Sequence, residues 1–131
     1  MIMVDSSVWI DYFNGTRTTA STFLDDALGT QYLVIGDLIL TEVLQGFKSD
    51  KDFNKARSLM AAFEVHNLMS EHLAVQSAKN FRFLRKRGLT VRKTIDVIIA
   101  TYCIDKDIPL LHSDRDFQPF AKHLKLRSVF P

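Results

Sequence analysis

Four acidic residues stand out by where they fall. Asp5 ends the apolar run Ile2-Met3-Val4, and Asp114 follows Pro109-Leu110-Leu111-His112 closely. Glu42, in LILTEVL, is the only charge between Asp37 and Lys48, and Asp96, in TIDVIIATYCI, is the only charge between Thr94 and Ile104. A carboxylate among aliphatic neighbours is costly to bury unless its charge is compensated. Gathered in one place, four such groups would repel one another and titrate at raised pH unless a cation neutralised them. Mg²⁺ and Mn²⁺ favour hard oxygen donors and retain several waters, so sparse carboxylates suit them better than a closed cage. Each acid also has a purely structural reading. Asp5 and Asp114 could cap helices, Asp96 could favour a helix N-terminus through the macrodipole, and Glu42 could lie on the polar face of an amphipathic helix. Whether the four meet decides between the readings, and that depends on the elements carrying them.

The strand Ile2–Val4 runs through Asp5 and Ser6-Ser7 into Val8, Trp9, Tyr12 and Phe13 at helical spacing, a helix ended by Asn14-Gly15. Residues 18–28 continue as a helix, Tyr32–Ile35 read as a second strand, and Asp37 is placed to cap a helix reaching about Phe47. Apolar stripes through Phe53, Ala56, Leu59, Met60 and Phe63, and through Leu73, Ser77, Phe81 and Leu84, predict two longer helices, the second closed by Gly88. Thr94 is expected to cap the apolar helix Ile95–Ile104. Residues 109–112 read as a buried strand, Asp114 opens a short helix, and Arg127–Phe130 read as a last strand. Short apolar strands separated by helices favour parallel pairing, because parallel neighbours need crossovers. The expected fold is a three-layer α/β/α sandwich with a mainly parallel sheet, one domain over residues 1–131. In such sheets ligands bind at the carboxyl ends of the strands, the edge where all four acids would converge.

Other chemistries find little support. His66, His72, His112 and His123 lack zinc-motif spacing, and a single cysteine cannot complete one. His112 is expected to be a strand-end histidine satisfied by the backbone rather than a ligand. Ser6-Ser7 has no Gly-x-Ser-x-Gly elbow, and no glycine-rich phosphate loop is present. In 131 residues, 47% hydrophobic side chains suffice for one core, while 17 Lys plus Arg against 15 Asp plus Glu leave +2, too near balance to announce a nucleic-acid partner. Cys103 lies within VIIATYCI and reads as a buried thiol in a reducing compartment, the cytoplasm by default. MIMVDSS lacks the pattern of a secretory signal, and no apolar run approaches the roughly 20 residues that cross a bilayer.

Taken in order, the motifs resemble those of the PIN-domain ribonucleases, and among them the VapC toxins of type II toxin–antitoxin pairs. MIMVDSSVWIDYF is similar to the family's strand followed by Asp and a hydroxyl residue. Glu42 in TEVLQG and Asp96 in TIDVIIA match its second and third acids, and LLHSDRDF its closing acidic block. The resemblance runs over the whole chain; each motif alone is weakly specific, and the ordered set is what carries it. It implies Asp5, Glu42, Asp96 and Asp114 as catalytic, metal-holding acids, Asp116 as a fifth participant at the metal, and Ser6 as the polar hydroxyl beside the first Asp. His112 stands where many relatives carry Thr.

The implied activity is metal-dependent hydrolysis of RNA phosphodiesters with Mg²⁺ or Mn²⁺, leaving 5′-phosphate and 3′-hydroxyl ends and needing no amino-acid nucleophile. The implied partners are an RNA substrate, a small VapB-like antitoxin and a second copy in a homodimer. Arg82, Arg85, Lys86, Arg87, Arg92 and Lys93 cluster six cations just before the Asp96 helix and are candidates for RNA contact, although a solvated helix face would look the same. A receiver-like phosphoacceptor, a phosphatase of the haloacid-dehalogenase type and a non-catalytic RNA-binding module are the rival readings. Asp5-Ser6-Ser7 lacks the Asp-x-Asp that such a phosphatase requires, and a receiver's paired acids near the first strand are missing.

Overall fold

The structure, a computed structural model, describes residues 1–130. Four strands form one sheet: β1 (Ile2–Val4), β2 (Leu33–Gly36), β3 (Glu64–His66) and β4 (Leu110–Leu111). Their order is β3-β2-β1-β4, and every pair is parallel. The helices are α1 (Ser6–Phe13), α2 (Thr19–Ala27), α3 (Asp37–Gln45), α4 (Asp50–Met60), α5 (Glu71–Lys86), α6 (Thr94–Lys106) and α7 (Gln118–His123), with a 3₁₀ turn at Arg115–Phe117. α1 packs on α2 and α3, and α3 on α4, while α5 pairs with α6 and α6 meets the 3₁₀ turn. This is the expected three-layer sandwich, with the sheet wholly parallel. Because β1 is flanked by β2 on one side and β4 on the other, the strand order reverses at its carboxyl end, the crevice that such sheets offer to ligands.

The central strands are buried on both faces, which is why they read as continuous aliphatic runs. Met3, Val4, Val34, Ile35, Leu110 and Leu111 supply the middle layer; Trp9, Leu24 and Ile39 close it on one side, Leu84, Ile99, Phe117 and Phe120 on the other. Cys103 is free and buried as expected, with Sγ 3.7 Å from Met3 Sδ, and burial pushes its thiol pKa up. Asn14 caps α1 before Gly15 at φ 72°, and Gly88 follows α5 at φ 76°, so both helices end where the glycines indicated.

Several expectations need correction. The first apolar stripe does not continue to Phe63: α4 stops at Met60, and Glu64–His66 form β3 at the sheet edge. Three residues with Glu64 and Val65 exposed carry no alternating pattern to read. The last strand reduces to one bridge between Leu110 and Ser128, since β4 is two residues long and offers no ladder to extend. Thr94 is the first residue of α6 rather than its cap, a place taken by Lys93 without a side-chain bond. Asp37 likewise begins α3 instead of capping it, and the helix closes at Gln45. Asp37 Oδ1 accepts from Leu38 N (2.8 Å) and Leu68 N (3.2 Å), which ties the segment after β3 to the start of α3. Gly36 precedes it because space is short: a Cβ there would lie 2.7 Å from Leu68 Cδ1.

Candidate active site

Asp5 is delivered by β1, and its backbone N–H donates to Leu111 O (2.9 Å), which fixes the residue against β4. Its Oδ2 accepts from Ser7 N (3.0 Å) and Ser7 Oγ (2.6 Å), the cap of α1. Oδ1 is buried and has no partner among the described residues. The capping reading is therefore correct for one oxygen and leaves the other free. Asp114 repeats the arrangement after β4: Oδ1 accepts from Asp116 N (2.9 Å) and caps the 3₁₀ turn. Asp96 occupies the first turn of α6, only 4% exposed, with Oδ2 buried and unpartnered. One oxygen from each of Asp96, Asp114 and Asp116 falls within 4.8 Å of the others. Asp116 thus joins the cluster in space.

Glu42 and Asp5 lie outside that tightest group, and their charges act on Asp96 within it. Burial, with Glu42 adding repulsion, raises the Asp5 pKa to about 6 despite the bonds from Ser7. Burial first, then the charges of Asp5, Asp114 and Glu42, raises the Asp96 pKa to about 7, against the opposing charge of Lys93. Groups that cannot all ionise together, with buried carboxylate oxygens left unsatisfied, fit a hard divalent cation.

Two hydroxyls hold this arrangement. Ser6 Oγ donates to Glu42 Oε1 (3.1 Å) from a buried position, so its hydroxyl orients an acid. Ser7, which the sequence reading passed over, does more: while donating to Asp5 it accepts from Ser113 N (3.3 Å), linking α1 to the segment that carries Asp114. The Asp-x-Ser cap was the available signal. His112 has a side-chain partner, Nε2 lying 2.9 Å from Ser128 Oγ, and its ring also faces the backbone of Asp114. Burial lowers its pKa.

The six cations of the basic segment part company. Arg92 lies 3.6 Å from Asp116 and, with Arg115, lines a cleft of about 590 Å³ beside Ser7, Ser113, Asp114 and Asp116. Lys93 acts on Asp96 through its charge. Arg82 and Arg85 border a separate apolar groove between α5 and α6, the guanidinium of Arg85 standing 5.5 Å from the Phe81 ring. Arg87 lies 3.4 Å over the Phe83 ring and donates to Phe83 O; Lys86 is exposed at the end of α5. Among the described residues no helix is long and apolar enough to cross a membrane.

Known proteins resemble the chain over nearly its whole length. The chain is 27% identical to the VapC ribonuclease Mb1587 of Mycobacterium bovis over 131 residues, covering 98% of each chain, and equally similar to ribonuclease VapC11 of Mycobacterium tuberculosis. The fold is shared with VapBC2 from Rickettsia felis bound to a promoter DNA fragment, at TM-score 0.75, 17% identity and coverage of 98% and 97%. It is shared too with FitAcB from Neisseria gonorrhoeae, at TM-score 0.74, 14% identity and coverage of 98% and 96%. A model of the PIN domain family matches residues 2–123, and the chain belongs to that family.

Proposed function

We propose that this protein is a metal-dependent endoribonuclease acting as the toxin of a toxin–antitoxin pair. The observation that carries the reading is the convergence of Asp96, Asp114 and Asp116 oxygens within 4.8 Å, with Oδ1 of Asp5 buried and unpartnered and its charge acting on Asp96. In this reading those carboxylates hold Mg²⁺ or Mn²⁺. When bound, such a cation supplies Lewis acidity toward water and toward a phosphoryl oxygen, and offsets the charge of the phosphodiester. The chain's own groups do the rest. Asp5 is held by Ser7 with Oδ1 left unpartnered, and Glu42, steadied by Ser6, takes the proton released by the attacking water as the P–O3′ bond breaks and the departing 3′-oxygen is protonated from solvent. Arg92, Lys93 and Arg115 offer cations to the RNA backbone at the cleft mouth, with Arg82, Arg85, Lys86 and Arg87 extending the basic surface along α5.

The names of similar proteins support the same role: the curated relatives are called ribonucleases, and several solved neighbours are VapBC complexes. The reading therefore includes a VapB-like antitoxin that covers the acidic cleft, a homodimer, and a reducing cytoplasmic setting in keeping with the lone buried Cys103. The test is cleavage of labelled RNA with Mg²⁺ or Mn²⁺ by wild type and by Asp5→Asn, Asp96→Asn and Asp114→Asn. Loss of cleavage in each variant, and in wild type with chelator, is expected. Equal cleavage by wild type and all three variants would remove the acids from the mechanism.

A further inference from the structure

Past Asp114 the acidic cleft opens into a second cavity, of about 500 Å³, which shares Ser113, Asp114 and Arg115 with it. Three stretches of chain build this cavity: His112 at the end of β4, Gln118 and Lys122 on α7, and Ser128 and Phe130 in the C-terminal segment. That segment is anchored, not loose. Leu110 N donates to Arg127 O (2.8 Å), Val129 N donates to Leu110 O (3.0 Å), and the His112–Ser128 bond fastens the side chains. The His112 ring is backed by Phe117, their centroids 4.9 Å apart, which holds it in place. Phe130 is 38% exposed and meets Phe23 edge-on at 5.5 Å, leaving ring surface for another planar group.

The charge of the cavity narrows what it can hold. Arg115 and Lys122 are exposed, and neither has an acidic partner among the described residues. Two unpaired cations outweigh the one carboxylate, Asp114, that the cavity shares with the acidic cleft, and so disfavour a divalent metal and a purely apolar ligand here, while an aromatic wall has no use for free phosphate. An aromatic surface, a fixed hydroxyl, a carboxamide and two cations together suit a planar polar ring attached to an anion.

We propose that this cavity is a nucleobase subsite, receiving the nucleotide that flanks the phosphodiester held at the acidic cleft and so contributing to sequence preference. Phe130 stacks on the base, Ser128 and Gln118 read its edge, and Arg115 and Lys122 hold the adjoining phosphates. The proposal rests on the ribonuclease reading.

Binding of four 5′-labelled single-base hexaribonucleotides in Ca²⁺, followed by anisotropy, tests it alongside mapping of cut sites on a long RNA in Mg²⁺ or Mn²⁺. Wild type is expected to discriminate among the four. Phe130→Ala should lose about 5- to 150-fold in affinity for the favoured oligonucleotide, the range for one stacked base. Ser128→Ala should change the order of preference and move the cut sites. Lys122→Ala, at an exposed position that leaves folding intact, should weaken all four equally and reduce the salt dependence. If all three variants keep wild-type affinities, salt dependence and cut sites while wild type cleaves RNA, the subsite is overturned and the nuclease reading stands. A folded wild type that neither binds nor cuts RNA overturns both.

Discussion

Arg92 sets its Nη2 3.6 Å from Asp116 Oδ2, a carboxylate oxygen that is buried and makes no hydrogen bond. The distance exceeds the roughly 2.7–2.9 Å of a charge-assisted hydrogen bond, and the Arg92 side chain is 80% exposed. So loose a pair is easily exchanged. With Asp96 and Asp114 beside it, the Arg92 cation sits where a metal would compete for the same oxygen. Arg92→Ala is therefore expected to tighten Mn²⁺ binding about two- to tenfold by calorimetry, while weakening RNA binding. In an Asp116→Asn background the effect on metal affinity should vanish. Unchanged Mn²⁺ affinity in the single variant would show that the pair does not compete with metal.

The raised pKa values of Asp5 and Asp96 make metal-free stability depend on pH. In the folded protein these acids hold protons up to about pH 6 and 7, whereas the unfolded chain releases them near 3.8. Between those limits the native state binds more protons, so their contribution favours folding at low pH and is lost as pH rises to 7. In chelator, melting temperature should fall from pH 5.5 to pH 8. Asp96→Asn should flatten that slope and stabilise the metal-free protein at pH 8 by about 1–4 kcal/mol. Protons and metal compete for the same oxygens, so Mg²⁺ affinity should climb over the same interval. Melting curves and calorimetry in matched buffers check both trends.

Ser7 links Asp5 to the segment bearing Asp114, and its removal should loosen both acids without touching substrate. Supporting bonds of this kind around a metal site are worth about 10- to 100-fold in metal affinity or activity. Ser7→Ala is expected to reduce kcat within that range, leave the Michaelis constant close to wild type and shift the pH profile upward, because the Asp5 carboxylate loses a hydrogen bond that lowers its pKa. Ser7→Thr should recover part of the rate. Equal pH profiles for Ser7→Ala and wild type would reduce Ser7 to a helix cap.

Gly36→Ala offers a test of packing away from the chemistry. The added methyl would press on the buried side chain of Leu68, and overpacking of a filled core costs about 1–3 kcal/mol. A urea midpoint lowered accordingly is expected, with cleavage per folded molecule retained. A neutral effect would mean that Leu68 has room to turn aside.

Much of this protein was legible in the chain itself. Apolar runs expected as strands at 2–4, 32–35 and 109–112 contain the buried strands observed at 2–4, 33–36 and 110–111 to within a residue at their ends, and the helices between them required parallel pairing and one shared carboxyl edge. Asp5 and Asp114 could be assigned to that edge because each follows a strand, and Glu42 and Asp96 drew notice as lone charges in otherwise apolar helices. These are properties of contiguous segments, which periodicity reports. Tertiary structure decided the rest. Asp116 meets Asp96 and Asp114 only because the 3₁₀ turn at Arg115–Phe117 folds back against α6; Arg92 meets Asp116 only through the path of the loop before α6. β3 depends on a neighbour to pair with, and the fate of residues 127–130 depends on how short β4 is. Six clustered cations, one block in the chain, disperse to a cleft, a groove and two phenylalanine rings. The physical reason is common to all: local side-chain preference sets an element's type over a few residues, whereas a distance of a few ångströms between remote residues is set by loop dihedrals and packing that no single segment contains.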